Sequence, residues 1–321
     1  MTRGAGGLAV VFTQAMSKQA GASEAEVSAG DAGGDRDPAS SASAQSATSP
    51  PNGDGSRRQF LQLLRPVRPV MQAVLGLIGV AAFFAIWELG HRLTPPDGQR
   101  FLPSPFEVIN ALVVLFTERS YLSDVIISAT RVFVSFFACA AVALPLGLLM
   151  GCFAPIRALI NPIVSGARYL PAASFIPLLL VWFGPTNTQK LALLFLGVIF
   201  FLVALILDNV DAVQKELIES AQTMGASRRQ IVTGVVLKAA APSILDSMRN
   251  MIAVGWTYLV IAEIVAAQDG IGAVMMRAGR FLKVDVIMAG ILTIGILGVL
   301  TDLLFRGAGY VLFPWNRKRG G

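Results

Sequence analysis

The sequence predicts an all-α fold, a polytopic membrane bundle of about six transmembrane helices with one polar helix on its cytoplasmic face. Three observations predict it. Hydrophobic residues make up 54% of the 321-residue chain and charged residues only 14%, where soluble domains carry about 25% charged; mean hydropathy is +0.64. Uncharged apolar runs occupy 70–87, 132–156, 191–207 and 286–301, and two more, 158–183 and 250–267, are each interrupted by a single charge. Between the fourth and fifth apolar segments lies a charged, patterned stretch, 216–238. Six crossings is the simplest count, with five or seven where Pro breaks a run.

Residues 1–69 are expected to be a disordered N-terminal extension with a basic end. Residues 1–55 are rich in Ala, Gly, Ser and Asp without periodicity, and Arg57, Arg58, Arg65 and Arg68 precede the first span. "SRRQFLQ" (56–62) has the shape of a twin-arginine signal, but the basic run continues and further spans follow, so it reads as a juxtamembrane anchor. The membrane domain is 70–316, and 317–321 is a short basic tail with Arg317, Lys318 and Arg319. Cations at both ends place both termini in the cytoplasm, with Arg157, Arg228, Arg229 and Lys238 in inner loops. Arg277, Arg280 and Lys283, in an outer loop, depart from that rule. In the first outer loop Ser104, Pro105 and Glu107 form a capping box with Pro at the first helical position, so a short helix starts there. A second short helix is expected at 271–282, after "DGIG".

The net charge of +6 does not indicate nucleic acid, because the cations sit where membrane topology requires them. Cys139 and Cys152, thirteen residues apart on one helix, are separated by about 20 Å, too far for a disulfide. His91 is the single histidine, and no Gly-Lys pair exists, so there is neither a His-based metal cluster nor a Walker A loop. No catalytic residues, metal ligands or bound cofactor are expected.

Charges within the apolar segments mark pathways or pairs. Arg131, early in the second span, and Glu263, late in the fifth, both belong near the outer surface. They interact or line the outer gate, or each snorkels separately to the outer interface. Arg168 lies in the segment broken by Pro162, Pro171 and Pro177. It belongs at the cytoplasmic boundary, or it lines a cavity and attracts an anionic substrate. Asp302 with Arg306, and Asp246 with Arg249, suit inner-surface pairs. Trp182, Trp256 and Trp315 suit interfacial anchoring or packing.

In "ELIESAQTMGASRRQIVTGVVLK" the apolar residues recur close to helical spacing, consistent with an amphipathic interfacial helix. The stretch also resembles the cytoplasmic loop of ABC importer membrane subunits: E-A-A, three residues, Gly, nine residues, Ile, any residue, Leu-Pro. Here these positions hold Glu219-Ser220-Ala221, Gly225, Val235 and Leu237, and Lys238 stands where Pro is expected, with Pro242 a possible substitute stop. "LPSPFEVINAL", "SATRVFVSF", "YLPAASFIPLLLVWFG", "WTYLVIAEIVAAQDGIG" and "GVLTDLLFRGAGYVLFPW" extend the resemblance to the nitrate/sulfonate/taurine-type permeases over 70–316.

The resemblance implies a permease subunit that forms the translocation path for a small solute, an anion such as nitrate, a sulfonate or a taurine-like solute, and couples it to a separate ATPase through 216–238. Glu219, Ala221, Gly225, Arg228, Arg229 and Leu237 would be the coupling residues. It implies as partners two ABC ATPase subunits holding ATP and Mg, a second permease copy, an external solute-binding protein and the lipid bilayer. The alternative is a gradient-driven secondary transporter with Glu263 as the ion or proton site.

Overall fold

The structure, a computed structural model, describes residues 69–118 and 120–316. The N-terminal extension with its four arginines and the 317–321 tail lie outside the described residues, apart from Pro69. The elements are α1 (Pro69–Leu93), α2 (Pro105–Glu118), α3 (Tyr121–Cys152), α4 (Ala154–Ala167), α5 (Ile176–Phe183), α6 (Asn187–Asp211), α7 (Lys215–Thr223), α8 (Arg228–Val265), α9 (Ile271–Arg280) and α10 (Val284–Leu312).

Five of these, α1, α3, α6, α8 and α10, are long and apolar enough to cross a membrane. The segment α4–α5 supplies a sixth if counted as one span, but it is bent by 86°. Following the chain back and forth gives the bundle two ends. At the head, α1 and α8 finish, α3, α6 and α10 begin, and α2 and α9 sit. At the foot is α7.

Helices outrun the apolar stretches that announced them. The second span begins at Tyr121 and not at 132, because Ser128, Arg131, Val132 and Ser135 form one buried helical face and the polar members find partners inside the protein. α2 starts at the expected capping box: Glu107 N–H donates to Ser104 Oγ (3.2 Å) and Ser104 N–H to Glu107 Oε2 (2.9 Å). α9 forms where "DGIG" predicts it.

The expected single helix 216–238 is two. Gly225 is not in mid-helix but has φ +80° beyond the end of α7. Pro242 is no stop either: α8 continues through it to Val265, with Ala240 and Ile244 buried on either side of the proline.

The main core is the α3–α6–α8 packing. Small residues let the backbones approach, as membrane helices require where no hydrophobic force drives association. A Cβ at Gly147 on α3 would sit 2.7 Å from Ile206 Cγ2 on α6, and one at Gly197 would sit 2.7 Å from Tyr258 Cε2 on α8. Asn209 Nδ2 donates to Ser247 Oγ across α6 and α8 (2.8 Å). A smaller cluster at the head joins α2, the start of α3, α9 and α10 through Val108, Leu115, Tyr121, Ile271 and Val286. α1 buries no side chain fully and is tied on by Trp87 Nε1 donating to the Pro103 carbonyl (3.0 Å).

The close α3–α6 approach generates a prediction. Gly147→Val forces apart two packed backbones and should destabilise the chain by about 1–3 kcal/mol. Gly166→Val, at a position with open space around it, should do much less. Thermal unfolding of both variants in detergent checks this.

Candidate functional site

Two polar constructions stand out, one at each end of the bundle, with a lone arginine between them. At the head, Arg131 lies in the third turn of α3, 4% exposed, and Glu263 near the end of α8 is fully buried. Arg131 Nη1 meets Glu263 Oε1 at 2.7 Å, so the two pair and do not snorkel apart. The Ser128 hydroxyl lies 2.8 and 2.9 Å from the two Glu263 oxygens as their donor, and the Gly272 N–H donates to Oε2 (2.8 Å).

The rest of the guanidinium is used as well. Asn187 Oδ1 accepts from Arg131 Nε (3.0 Å), and Asp269 accepts from Nη2 (2.5 Å). Asp269 also accepts from Lys190 Nζ (2.8 Å), an ammonium only 1% exposed on the second turn of α6. Two buried cations therefore meet two carboxylates. Each isolated charge would be costly to bury; together, with hydrogen bonds completing the set, they are tolerated.

The "DGIG" sequence is what brings the backbone round this cluster. Gly270 has φ +95°, and a Cβ there would lie 2.6 Å from Glu263 Oε2, so only glycine fits. Its N–H donates to Asp124 Oδ1 (2.7 Å), and the Ile271 N–H donates to Ser128 Oγ (2.9 Å). Burial opposes ionisation of Asp269, but the hydrogen bonds from Lys190 and Arg131 outweigh it and hold its carboxyl below the ordinary 3.8. Chemically the cluster is closed: Arg131 has no donor left for a solute, and Glu263 as a proton or ion site would have to discard a guanidinium. Lys190, Asp269, Asn187 and Ser128 escaped the sequence reading. The signal was available in Lys190, a lone cation at the mouth of a seventeen-residue uncharged run.

At the foot, α7 ends in a Schellman turn. The Gly225 N–H donates to the Gln222 carbonyl (2.9 Å) and the Ala226 N–H to the Ala221 carbonyl (3.0 Å), a geometry that uses the left-handed Gly225. Ser227 then caps α8 with a capping box to Gln230: Ser227 N–H donates to Gln230 Oε1 at 2.8 Å. A wide π-type stretch, Ile231–Val236, leads into the long helix.

Of the predicted coupling residues, Glu219, Gly225, Arg228 and Arg229 are exposed, whereas Ala221 is buried in the chain's own core and Leu237 is half-buried. Within the chain nothing lies near a Cβ built at Gly225, and its left-handed conformation accounts for the glycine. α7 and the first turns of α8 thus form an elbow, anchored by Ala221, Ile231 and Val236, with a charged outer side.

Arg168 is not at the foot boundary. The bend that carries it, 167–175, lies with Leu196, Gly197, Phe200 and Phe201 around one crevice, and these surround the midpoint of the 25-residue α6. The pairs Asp246–Arg249 (3.3 Å) and Asp302–Arg306 (2.6 Å) form as expected and are joined by Arg249–Asp302 (3.1 Å). Trp256 is buried in the core; Trp182 and Trp315 are exposed.

Residues 143–318 match the family described as binding-protein-dependent transport system inner membrane component. The chain is 35% identical over 221 residues to the taurine transport system permease protein TauC of Escherichia coli (strain K12), covering 67% of this chain and 80% of that one. It is 27% identical over 241 residues to the putative aliphatic sulfonates transport permease protein SsuC of Bacillus subtilis (strain 168), covering 75% and 87%. In three dimensions it resembles a chain of a bacterial ABC transporter involved in the import of alginate, with TM-score 0.52 and 16% identity over 75% of this chain and 95% of that one. It likewise resembles a chain of the inward-facing MetNI methionine transporter, with TM-score 0.50 and 21% identity over 58% and 95%.

Two predictions follow from the head cluster. Arg131→Met or Glu263→Leu alone strands a buried charge and should cost about 3–5 kcal/mol, and the double variant should cost less than either sum suggests; thermal or denaturant unfolding of the four chains measures the coupling. Because the Asp269 pKa is lowered in the folded chain, its stabilisation is present above the unfolded value and is lost as pH falls through the folded one. The advantage of wild type over Asp269→Asn in thermal midpoint should therefore hold at neutral pH and vanish in acid below the ordinary carboxylate range.

Proposed function

The chain belongs to the inner membrane components of binding-protein-dependent transport systems, and we propose that it works as a pair of copies bound to two ATPase subunits. It is the permease of an ABC importer and not itself the ATPase. The elbow of α7 and the start of α8 is the handle on which each ATPase pulls. The observation that carries this is the division of that elbow: one side is packed into the bundle at Ala221, Ile231 and Val236, the other presents Glu219, Arg228 and Arg229 to solvent.

ATP and Mg belong to the partner, and the solute reaches the permease from an external binding protein. The foot is then cytoplasmic, as are both termini. The cations of the foot, Lys215, Arg228, Arg229 and Lys238, support that orientation. The cargo is a small sulfonate of the taurine type, by likeness to relatives named for taurine and aliphatic sulfonates. Arg131 and Glu263 are a lock on the outer side, holding α3, α6 and α8 to the 266–272 turn, and not a solute site.

The elbow is tested by Glu219→Lys combined with Gly225→Val, which reverses an exposed charge and puts a β-branched residue at φ +80°. In proteoliposomes of the whole transporter the variant should lose transport-linked ATP hydrolysis, and the ATPase should no longer copurify with it. Membrane insertion should be unchanged. Normal uptake by this variant would refute the assignment.

A further inference from the structure

We infer that Arg168 is an anion-binding residue of the translocation path, taking the sulfonate or similar small monoanion at half depth in the membrane; this rests on the permease reading above. Two independent features of the 167–175 bend point to it. The first is charge. Among the described residues, three other cations within the spans are paired with carboxylates: Arg131 with Glu263, Lys190 with Asp269, and Arg249 with Asp302. Arg168 has no ion pair, and its Nε is buried without a hydrogen-bond partner.

The second feature is backbone. Between α4 and α5 the chain abandons the α-helix for a turn and a 3₁₀ stretch, Ala172–Phe175. Irregular backbone at membrane depth is tolerated only where it is buried in protein or lines a water-filled cavity. This bend is not wholly buried, since Tyr169 is 85% and Leu170 55% exposed beside it. Lipid on that face would meet an uncompensated guanidinium.

The depth is set by two neighbours. The crevice beside Ala167 and Leu170 is completed by Leu196 and Gly197 near the middle of α6, and by Tyr258, which is central in the apolar run 250–267. A headgroup phosphate at the membrane surface is out of reach of such a position. A small anion crossing between subunits is not. The guanidinium offers it a planar, permanently charged donor fork, and the fixed positive potential of a narrow path concentrates anions there. Arg131 cannot serve, because its donors are taken.

The test places a reporter thiol beside Arg168. In the full chain, within membranes that also contain its native partners, Cys152→Ser and Tyr169→Cys are introduced and the buried Cys139 is left as background. Rates of modification are measured with two membrane-impermeant reagents of similar size, anionic sulfonatoethyl methanethiosulfonate and cationic trimethylammonioethyl methanethiosulfonate. Both should react, and the anionic-to-cationic rate ratio should fall roughly tenfold or more on Arg168→Gln and be retained in Arg168→Lys. A thiol inert to both reagents would put this face in lipid, and a ratio indifferent to Arg168→Gln would remove the arginine from any anion path. Either result overturns the inference. The rates are read without ATP, so they do not depend on the elbow at the foot, and failure there leaves this outcome readable.

Discussion

A guanidinium and a carboxylate, three turns inside one helix and just short of the end of another, meet where neither reaches water, and the head of the bundle is arranged to let them. Removing either alone would leave the cluster of two cations and two carboxylates one charge out of balance in a low-dielectric interior, so every neighbour is committed to the pair. Ser128 and the Gly272 N–H complete the coordination of Glu263, and Asn187 and Asp269 that of Arg131. Asp269 in turn neutralises Lys190. The position of α9 follows from the same requirement, because its first residues must pass within reach of Glu263, and only glycine at 270 and 272 permits that approach.

The foot depends on a different constraint, the need to reverse the chain twice within a few residues while keeping one side apolar. The Schellman turn at Gly225 and the capping box at Ser227 achieve this with local hydrogen bonds. Ala221 and Ile231 then fix it to the core. α8 joins the two ends: a single run of 38 residues, about 57 Å long, starts in the elbow and carries Glu263 near its far end. The elbow and the head cluster are thus joined by one helical run.

Between these ends the bundle treats charge in two ways. Most intramembrane charges are consumed by one another, which closes them to solutes. Arg168 is left over, and it sits where α4 and α5 part at 86°. A chain that pairs its buried cations so thoroughly elsewhere has spent nothing on this one.

The all-helical class, the number of apolar segments, the capping box at Ser104, the short helix after "DGIG" and the loop carrying Glu219 and Gly225 were legible in the sequence, because each is a local pattern whose physics acts within a few residues. So were the near-neighbour pairs Asp302–Arg306 and Asp246–Arg249. Helix ends were not legible: apolar runs stop at the first charge, whereas Tyr121–Cys152 continues past Arg131 because its polar face is satisfied by other helices. The choice between pairing and snorkelling for Arg131 and Glu263, 132 residues apart, the recruitment of Lys190 and Asp269, and the mid-depth place of Arg168 were decided by tertiary structure. Those are questions of which side chain another helix supplies, and sequence spacing holds no information about a partner brought near only by packing.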